Sequence, residues 1–564
     1  MDDVDAVQAQ IARNMLASGD WVTARLDGVA YLEKSPLVYW MMAASYRVFG
    51  VRDWAARLPL ALAAVLLCWV TFRFGTWAFG REAGLYAGLS LSTCAGLYLF
   101  TRILIPDAAL TLTLTVAVWA AFRLLEGDDS SPLLWSAALG TAVAMGVLLK
   151  GLIAIVFPIL AVAAYMAATR QLTSRAAWQR LRLWFAVPLC LLLAAPWHVL
   201  ATLRNPPYFV FSMHSGPGLY RGFFWFYFFN EHLLRFLNLR YPRDYNTVPR
   251  ALFWALNLAW IFPWTGYLVV SARQSFDSAS RAGRTRLLAL CWIGAVMVFF
   301  TFSTTQEYYS MPIYPAMALL VGSSMAEGGK AVRWATQTTA AALLVLCGIL
   351  SALLWSVWTI PARGQMWTSL TQNPDLYTLS LGHMADLTHQ TFAYLKMPLG
   401  VAALAFGMGA AGLWLARRNT RILAVVLAAT MVIFFQASRL ALARFDNYLG
   451  SYPLAQALQN SPPGQLIEAD AYYAFSSVFF YTNRSALLLD GRVNNLEYGS
   501  NAPDAPQVFI GDAAFVSDWT SNRRFYLLTY GDDIKHWRDL VGAENLHAVA
   551  ECGGNFLLTN HALQ

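Results

Sequence analysis

Charge is scarce in this sequence. Asp, Glu, Lys and Arg make up 13% of its 564 residues, about half of the roughly 25% usual in a soluble globular protein. Beside a hydrophobic fraction of 58%, that deficit excludes an ordinary soluble enzyme and points to a polytopic membrane protein. Cysteine is sparse too: Cys68, Cys94, Cys190, Cys291 and Cys347 lie in apolar stretches, and Cys552 stands alone near the C-terminus. No disulfide framework or metal-type Cys spacing is present, so these thiols read as packing residues. The net charge of +8 comes in short clusters between apolar runs, which argues against a nucleic-acid partner and suits topology signals. The sequence also lacks an internal repeat, and its apolar runs are largely uncharged; a transporter would show related halves and polar residues near mid-membrane.

What is present is a succession of apolar runs near the length of about 20 residues that crosses a bilayer. They lie near 54–78, 83–101, 107–125, 132–149, 152–168, 183–200, 251–271, 287–304, 311–327, 334–359, 397–416 and 421–438, which predicts about twelve spans. If each run crosses once, Arg170/Arg175/Arg180/Arg182, Arg273/Arg281/Arg284/Arg286, Lys330/Arg333 and Arg417/Arg418/Arg421 share one side. Their excess makes that side cytoplasmic. Residues 1–50, the loop 101–107, the Lys150-Gly151 turn, and the loops 201–250, 303–311 and 360–396 then share the outer face with the C-terminal region. The predicted organisation is 1–50 as juxtamembrane amphipathic helices, 51–438 as the transmembrane domain and 439–564 as a small soluble α/β domain. The last part is more polar, with turn signals at Ser461-Pro462-Pro463-Gly464 and Asn501-Ala502-Pro503. Strand-like runs such as Ala486–Leu489, Gln507–Ile510 and Phe525–Thr529 alternate there with helices expected at 449–460 and 532–541. No catalytic motif falls in it.

The remaining polar residues collect on the outer face. Asp2, Asp3 and Asp5 open a helix in which Val4, Val7, Ile11, Met15 and Leu16 fall at helical spacing, and Gly19-Asp20 ends it. Such acids also suit a helix N-terminus, but ionisable groups held at a membrane are costly, and cost favours function. Tyr31-Leu32-Glu33-Lys34-Ser35-Pro36 then leads into the apolar segment 37–49. Asp107 follows Pro106, a natural helix start. Lys150-Gly151 interrupts two apolar runs, and His232 and Arg235 lie in Trp225-Phe-Tyr-Phe-Phe-Asn-Glu-His-Leu-Leu-Arg235. Tyr308 and Tyr309 precede a further span, where interfacial aromatics are expected in any case.

The order of the first fifty residues is specific. An acidic opening is followed by A-x-x-M-L-x-S-G-D-W-V-T-x-R-L-x-G-x-x-Y-x-E-K-x-P-L-x-Y-W and an apolar helix ending Phe49-Gly50. This resembles the ArnT-like glycosyltransferases, which include the lipid A aminoarabinose transferases and relatives of the protein mannosyltransferase group. The likeness continues in thinner patches to about the last span. It implies a mainly α, polytopic GT-C fold that moves a sugar from a polyprenyl-phosphate donor to a lipid, glycan or protein acceptor. The expected place is the periplasmic face of a bacterial inner membrane. A non-enzymatic transporter or flippase of lipid-linked sugars is the alternative.

The resemblance also assigns residues. The family's acidic pair falls on Val4 and Asp5 without a gap, and a one-residue slip brings in Asp3. Asp3 and Asp5, with Asp107 at the family's second-loop acidic position, are the expected catalytic carboxylates, to accept a proton or hold a metal. Lys34 of the E-K-P-like motif, Lys150 of a Lys-Gly turn and Arg235 of E-H-x-x-R-F are expected on the donor phosphate. In that turn Leu152 replaces the family's proline. Tyr31 and either Tyr308 or Tyr309, with Tyr309 preferred, would complete the pocket. Gln306 and Glu307 stand where the family often has a lysine. Glu33 with His232 is a candidate divalent-metal pair for zinc or magnesium, although a lone histidine is more often structural. The family starts with a membrane helix before the acidic motif, whereas Met1 lies directly on it; the expectation is a chain without that first span.

Overall fold

The computed structural model describes residues 1–128, 130–243, 247–362, 364, 366–370 and 387–563. About half of the outer loop 360–396 therefore lies outside the described residues. Eight helices are long and apolar enough to cross a bilayer. They are Asp53–Phe79, Asp107–Glu126, Pro132–Lys150, Leu183–Arg204, Arg281–Thr301, Gly329–Ser356, Thr391–Ala416 and Thr420–Arg444. A ninth crossing exists if Arg250–Trp260 and Thr265–Ser271 count as one span, but they meet at a bend of 104°. Pro263, which has no N–H to continue a helix, lies in that bend.

The twelve apolar runs are all helical, but four are short or broken. Besides the bent pair, Arg81–Ser92 stops before Ala95–Phe100, Ile153–Ala168 has 16 residues and Tyr314–Glu327 has 14. At 1.5 Å per residue, 14–16 residues reach only about 21–24 Å, less than a hydrocarbon core of about 30 Å.

The basic loops meet at one end of the bundle. Arg284 forks onto Glu126 (2.6 and 2.7 Å), Arg281 pairs with Asp128, Arg180 donates to the Leu125 carbonyl (3.2 Å), and Arg421 pairs with Glu82. At the opposite end the helix Asp3–Ser18 begins with Asp2, whose carboxylate accepts from the Asp5 N–H at 2.8 Å. The helix ends on Gly19, at φ +71°. Its apolar stripe of Val7, Ile11 and Met15 is buried against Leu37–Phe49 and the soluble-domain helix Ser476–Thr482. Burial of each such side chain contributes about 1.5–3 kcal/mol, so this helix is wedged between membrane bundle and soluble domain.

The soluble domain is built on a six-stranded sheet, in the order Phe509–Ile510, Ala486–Leu489, Gln465–Ala469, Phe525–Tyr530, Asn555–Thr559, His547–Cys552. The first four strands are parallel and the last two antiparallel. The central strand Gln465–Ala469 follows the Ser461-Pro462-Pro463-Gly464 turn, and the terminal hairpin turns on Gly553-Gly554, both at positive φ.

Candidate active site

Two anchors bring distant lysines together. Ser35, next to Lys34, donates to the Val147 carbonyl at 3.0 Å and shares a short hydrogen bond with the Tyr227 hydroxyl. That fastens the Glu33-Lys34 segment to the last turn of Pro132–Lys150. The turn after Lys150 is fixed in the same way. His232 Nε2 accepts from the Leu152 N–H at 3.1 Å, and its Nδ1 lies 2.6 Å from the Tyr227 carbonyl, so the proton sits on Nδ1. Burial lowers the imidazole pKa, consistent with that neutral ring. Gly151 sits at φ +80°, and a Cβ there would meet His232 Nε2 at 2.1 Å. Only glycine fits both the backbone and the space.

Around this turn lies a dense polar cluster. Lys150 Nζ is 2.5 Å from Asp107 Oδ1 and faces the rings of Tyr308 and Tyr309 at 5.1 and 4.9 Å. Arg235 donates to Glu231 at 3.0 Å and to the Tyr309 hydroxyl at 2.9 Å. Arg240, buried, bridges Glu231 and Glu33, the latter at 2.8 Å. Lys34 has no hydrogen-bond or ion-pair partner among the described residues, yet its charge acts on both Glu231 and Tyr309. Burial alone would raise the Glu231 carboxyl, but Arg240, Arg235 and Lys34 hold it below its ordinary value. Burial likewise acts upward on the Tyr309 phenol, and Arg235, Lys150 and Lys34 more than offset it. Three cations therefore converge on one hydroxyl, and one of them is uncommitted. In a low-dielectric setting such a group is built for an anion.

Lys34 lines a narrow, mostly apolar cleft together with Leu32, Tyr39, Trp197, Ala201 and Phe223. Trp197 and Ala201 belong to Leu183–Arg204, of which only 17% is buried within the protein. The cleft thus joins a lipid-facing helix to an uncommitted ammonium.

The carboxylates divide by direction. Asp3 and Asp5 are two positions apart on a helix, so they point to nearly opposite sides. Asp5 is buried: its Oδ1 accepts from the Leu104 N–H at 2.7 Å and its Oδ2 pairs with Arg57, which also donates to the Arg102 carbonyl. Burial pushes its pKa up to about 7 against the pull of Arg57 and Leu104. It clamps the loop that ends in Asp107. Asp3 instead accepts from the Ser477 N–H at 2.7 Å and the Ser451 hydroxyl at 3.0 Å, both in the soluble domain. Of these three carboxylates Asp107 keeps an open acceptor, since its buried Oδ2 has no hydrogen-bond partner among the described residues.

Of the residues expected from sequence, the fold brings Lys34, Lys150, Arg235, Tyr309 and Asp107 into one cluster, and Asp5 braces it through Leu104. Asp3 is not brought there, because the soluble domain takes it. Tyr31 is one step removed: its hydroxyl donates to Glu33 at 3.3 Å. The Glu33 and His232 pair does not fit a divalent ion as arranged. Glu33 is bound by Arg240 and Tyr31, and both His232 nitrogens are engaged. Among the described residues no group of three His, Cys, Asp or Glu side chains could hold a metal. Sequence reasoning missed Arg57, Glu231 and Arg240. Their signal is weak: each is a charge in or beside an apolar run, as snorkelling residues also are.

Comparison with known proteins places this geometry. Residues 33–199 match the dolichyl-phosphate-mannose-protein mannosyltransferase family. The undecaprenyl phosphate-alpha-4-amino-4-deoxy-L-arabinose arabinosyl transferase of Aeromonas salmonicida is 30% identical over 57% of this chain and 55% of its own length. The matched stretch thus spans about half of that relative. The enzyme of the same description from Erwinia tasmaniensis is 25% identical over 92% of this chain and 86% of its own. The crystal structure of ArnT from Cupriavidus metallidurans bound to undecaprenyl phosphate superposes with a TM-score of 0.80, at 22% identity, over 99% of this chain and 94% of that one. The chain has the fold of that ArnT structure. Within the ArnT-like fold, the soluble domain and the polar cluster lie at the same end of the bundle.

Proposed function

We propose that the protein is a membrane glycosyltransferase that takes a pentose from an undecaprenyl-phosphate carrier and passes it to an amphipathic glycolipid of the lipid A type. The observation that carries this reading is the convergence of Lys150 and Arg235 on Tyr309, with Lys34 of the neighbouring segment lining an apolar cleft. A polyprenyl phosphate needs both parts, an apolar channel for the tail and cations for the headgroup. The names of the relatives support the choice of carrier and sugar. The basic loops at the opposite end support a periplasmic position for the site in a bacterial plasma membrane.

An acceptor oxygen attacks the anomeric carbon, the bond from that carbon to the phosphate oxygen breaks, and the bonding pair leaves on the phosphate. Charge accumulates there, so Lys34 and Arg235 act mainly by stabilising the departing phosphate. Asp107, through its open Oδ2, takes the acceptor's proton. Asp5 holds the loop that presents Asp107. Zinc or magnesium remains a candidate cofactor of the wider family pattern, but no step is assigned to one because Glu33 and His232 are otherwise occupied. Transfer assayed with purified protein and undecaprenyl-phosphate-linked aminoarabinose tests the proposal; Arg235→Ala reduces turnover on the order of 10²-fold or more, and equal turnover in that variant contradicts it.

A further inference from the structure

One short helix of the soluble domain touches two of the three chain segments that supply the donor-site cations, those of Lys34 and Arg235. On the first segment, Asn495 Nδ2 donates to the Tyr31 hydroxyl at 3.2 Å and to the Tyr473 hydroxyl at 2.5 Å, and the two tyrosines lie 3.3 Å apart. Four residues on, a Cβ at Gly499 would meet the Ala30 carbonyl at 2.0 Å; helix Asn494–Ser500 is thus pressed directly on the strand that runs into Tyr31-Leu32-Glu33-Lys34. On the second segment, the Tyr498 hydroxyl accepts from the Arg221 N–H at 2.8 Å and donates to the Gly222 carbonyl at 3.0 Å. Its ring stacks on Phe226 at 3.8 Å. Gly222 starts the helical stretch that carries Glu231, His232 and Arg235.

From these grips a continuous polar path runs inward. Tyr31 donates to Glu33, Arg240 bridges Glu33 and Glu231, Arg235 joins Glu231 and reaches Tyr309. Arg240 is buried between two carboxylates, and a buried ion network tolerates little displacement of any member. Holding both ends of that network fixes the separation of Lys34 from Arg235. We infer that helix Asn494–Ser500 is a clamp by which the soluble domain sets the spacing of the Lys34 and Arg235 segments, with Asn495 and Tyr498 as positioning residues. This rests on the reading of Lys34, Arg235 and Tyr309 as a phosphate site.

The test is the affinity of the purified full chain, in lipid nanodiscs, for undecaprenyl phosphate. Asn495→Ala with Tyr498→Phe removes the polar grips while keeping the ring that packs on Phe226. The double variant weakens binding about 3–10-fold, as the loss of one or two ordinary hydrogen bonds implies. Thr529→Val, which removes the buried hydroxyl bonded to Trp537 at 2.7 Å away from the clamp, controls for mere destabilisation of the domain and leaves affinity within about twofold. In an Arg235→Ala background the clamp variants have no further effect, since nothing is left to position. Unchanged affinity in the double variant, with Arg235→Ala and Lys34→Ala still weakened, overturns the clamp and leaves the donor site standing. Affinity unchanged in Arg235→Ala and Lys34→Ala as well overturns both. A loss in Thr529→Val equal to that of the double variant overturns the clamp as well.

Discussion

Arg235 donates to the Tyr309 hydroxyl at 2.9 Å across 74 residues of sequence. The pair marks the point where the outer loop 201–250 meets the segment entering Tyr314–Glu327. Tyr309→Phe keeps the ring under Lys150 but removes the hydroxyl. The expected result is a KM for the polyprenyl donor raised about 3–10-fold, with kcat less affected, as expected of a hydroxyl that orients Arg235 for the bound headgroup before and after transfer alike. Steady-state kinetics with the donor varied measures the split.

Asp107→Asn tests the proton acceptor. Loss of a general base costs about 10²–10⁴ in rate, while Lys150, released from its partner, remains available to phosphate. Single-turnover transfer should collapse while affinity for undecaprenyl phosphate is kept or improved. A variant that loses binding in proportion to turnover would assign Asp107 to the headgroup site instead.

Gly151→Ala should be as harmful as loss of Lys150 itself. It forces a side chain into the left-handed region and onto His232; strain of that kind costs about 1–3 kcal/mol before the collision is counted. His232→Ala removes the acceptor for Leu152 N–H and loosens the same turn. Both variants should lose donor affinity without loss of expression, as read by binding and by thermal unfolding.

Much of this arrangement is legible in the sequence. The acidic helix, its Gly19 stop, the Glu33-Lys34 pair and the Lys150-Gly151 turn are local patterns, and each survives into the fold as a unit. The helical character of every apolar run is equally local. What the sequence does not carry is partnership. Asp3 and Asp5 look equivalent in one dimension, and only the soluble domain's Ser451 and Ser477 separate them. His232 reads as a ligand until its two nitrogens are seen to hold the 150–152 turn. Glu231 and Arg240 become a buried bridge only through pairing over 207 residues to Glu33.

The docking of Asp3 has a pH signature. Burial raises its pKa from 3.8 to about 7, whereas the unfolded chain titrates near the ordinary value of about 3.9. Between those values the folded state keeps a proton that the unfolded state has lost, so stability falls as pH rises from about 4 to about 7 and then levels off. Thermal unfolding in detergent should occur at higher temperature at pH 5 than at pH 8. Asp3→Asn should shrink that difference, leaving the share due to Asp5 and Asp27, which are raised similarly. An undiminished pH dependence in the variant would remove Asp3 from the account.

The most direct test of the central claim is transfer by the purified protein in nanodiscs, supplied with undecaprenyl-phosphate-linked aminoarabinose and lipid A and read by mass spectrometry. Wild type should give sugar-modified lipid A and free undecaprenyl phosphate in equal amounts, and Lys34→Ala, which removes the uncommitted cation, should give neither at a rate within about 10²-fold of it. Absence of product from wild type, or full turnover by Lys34→Ala, would contradict a phosphate site built on Lys34, Lys150 and Arg235.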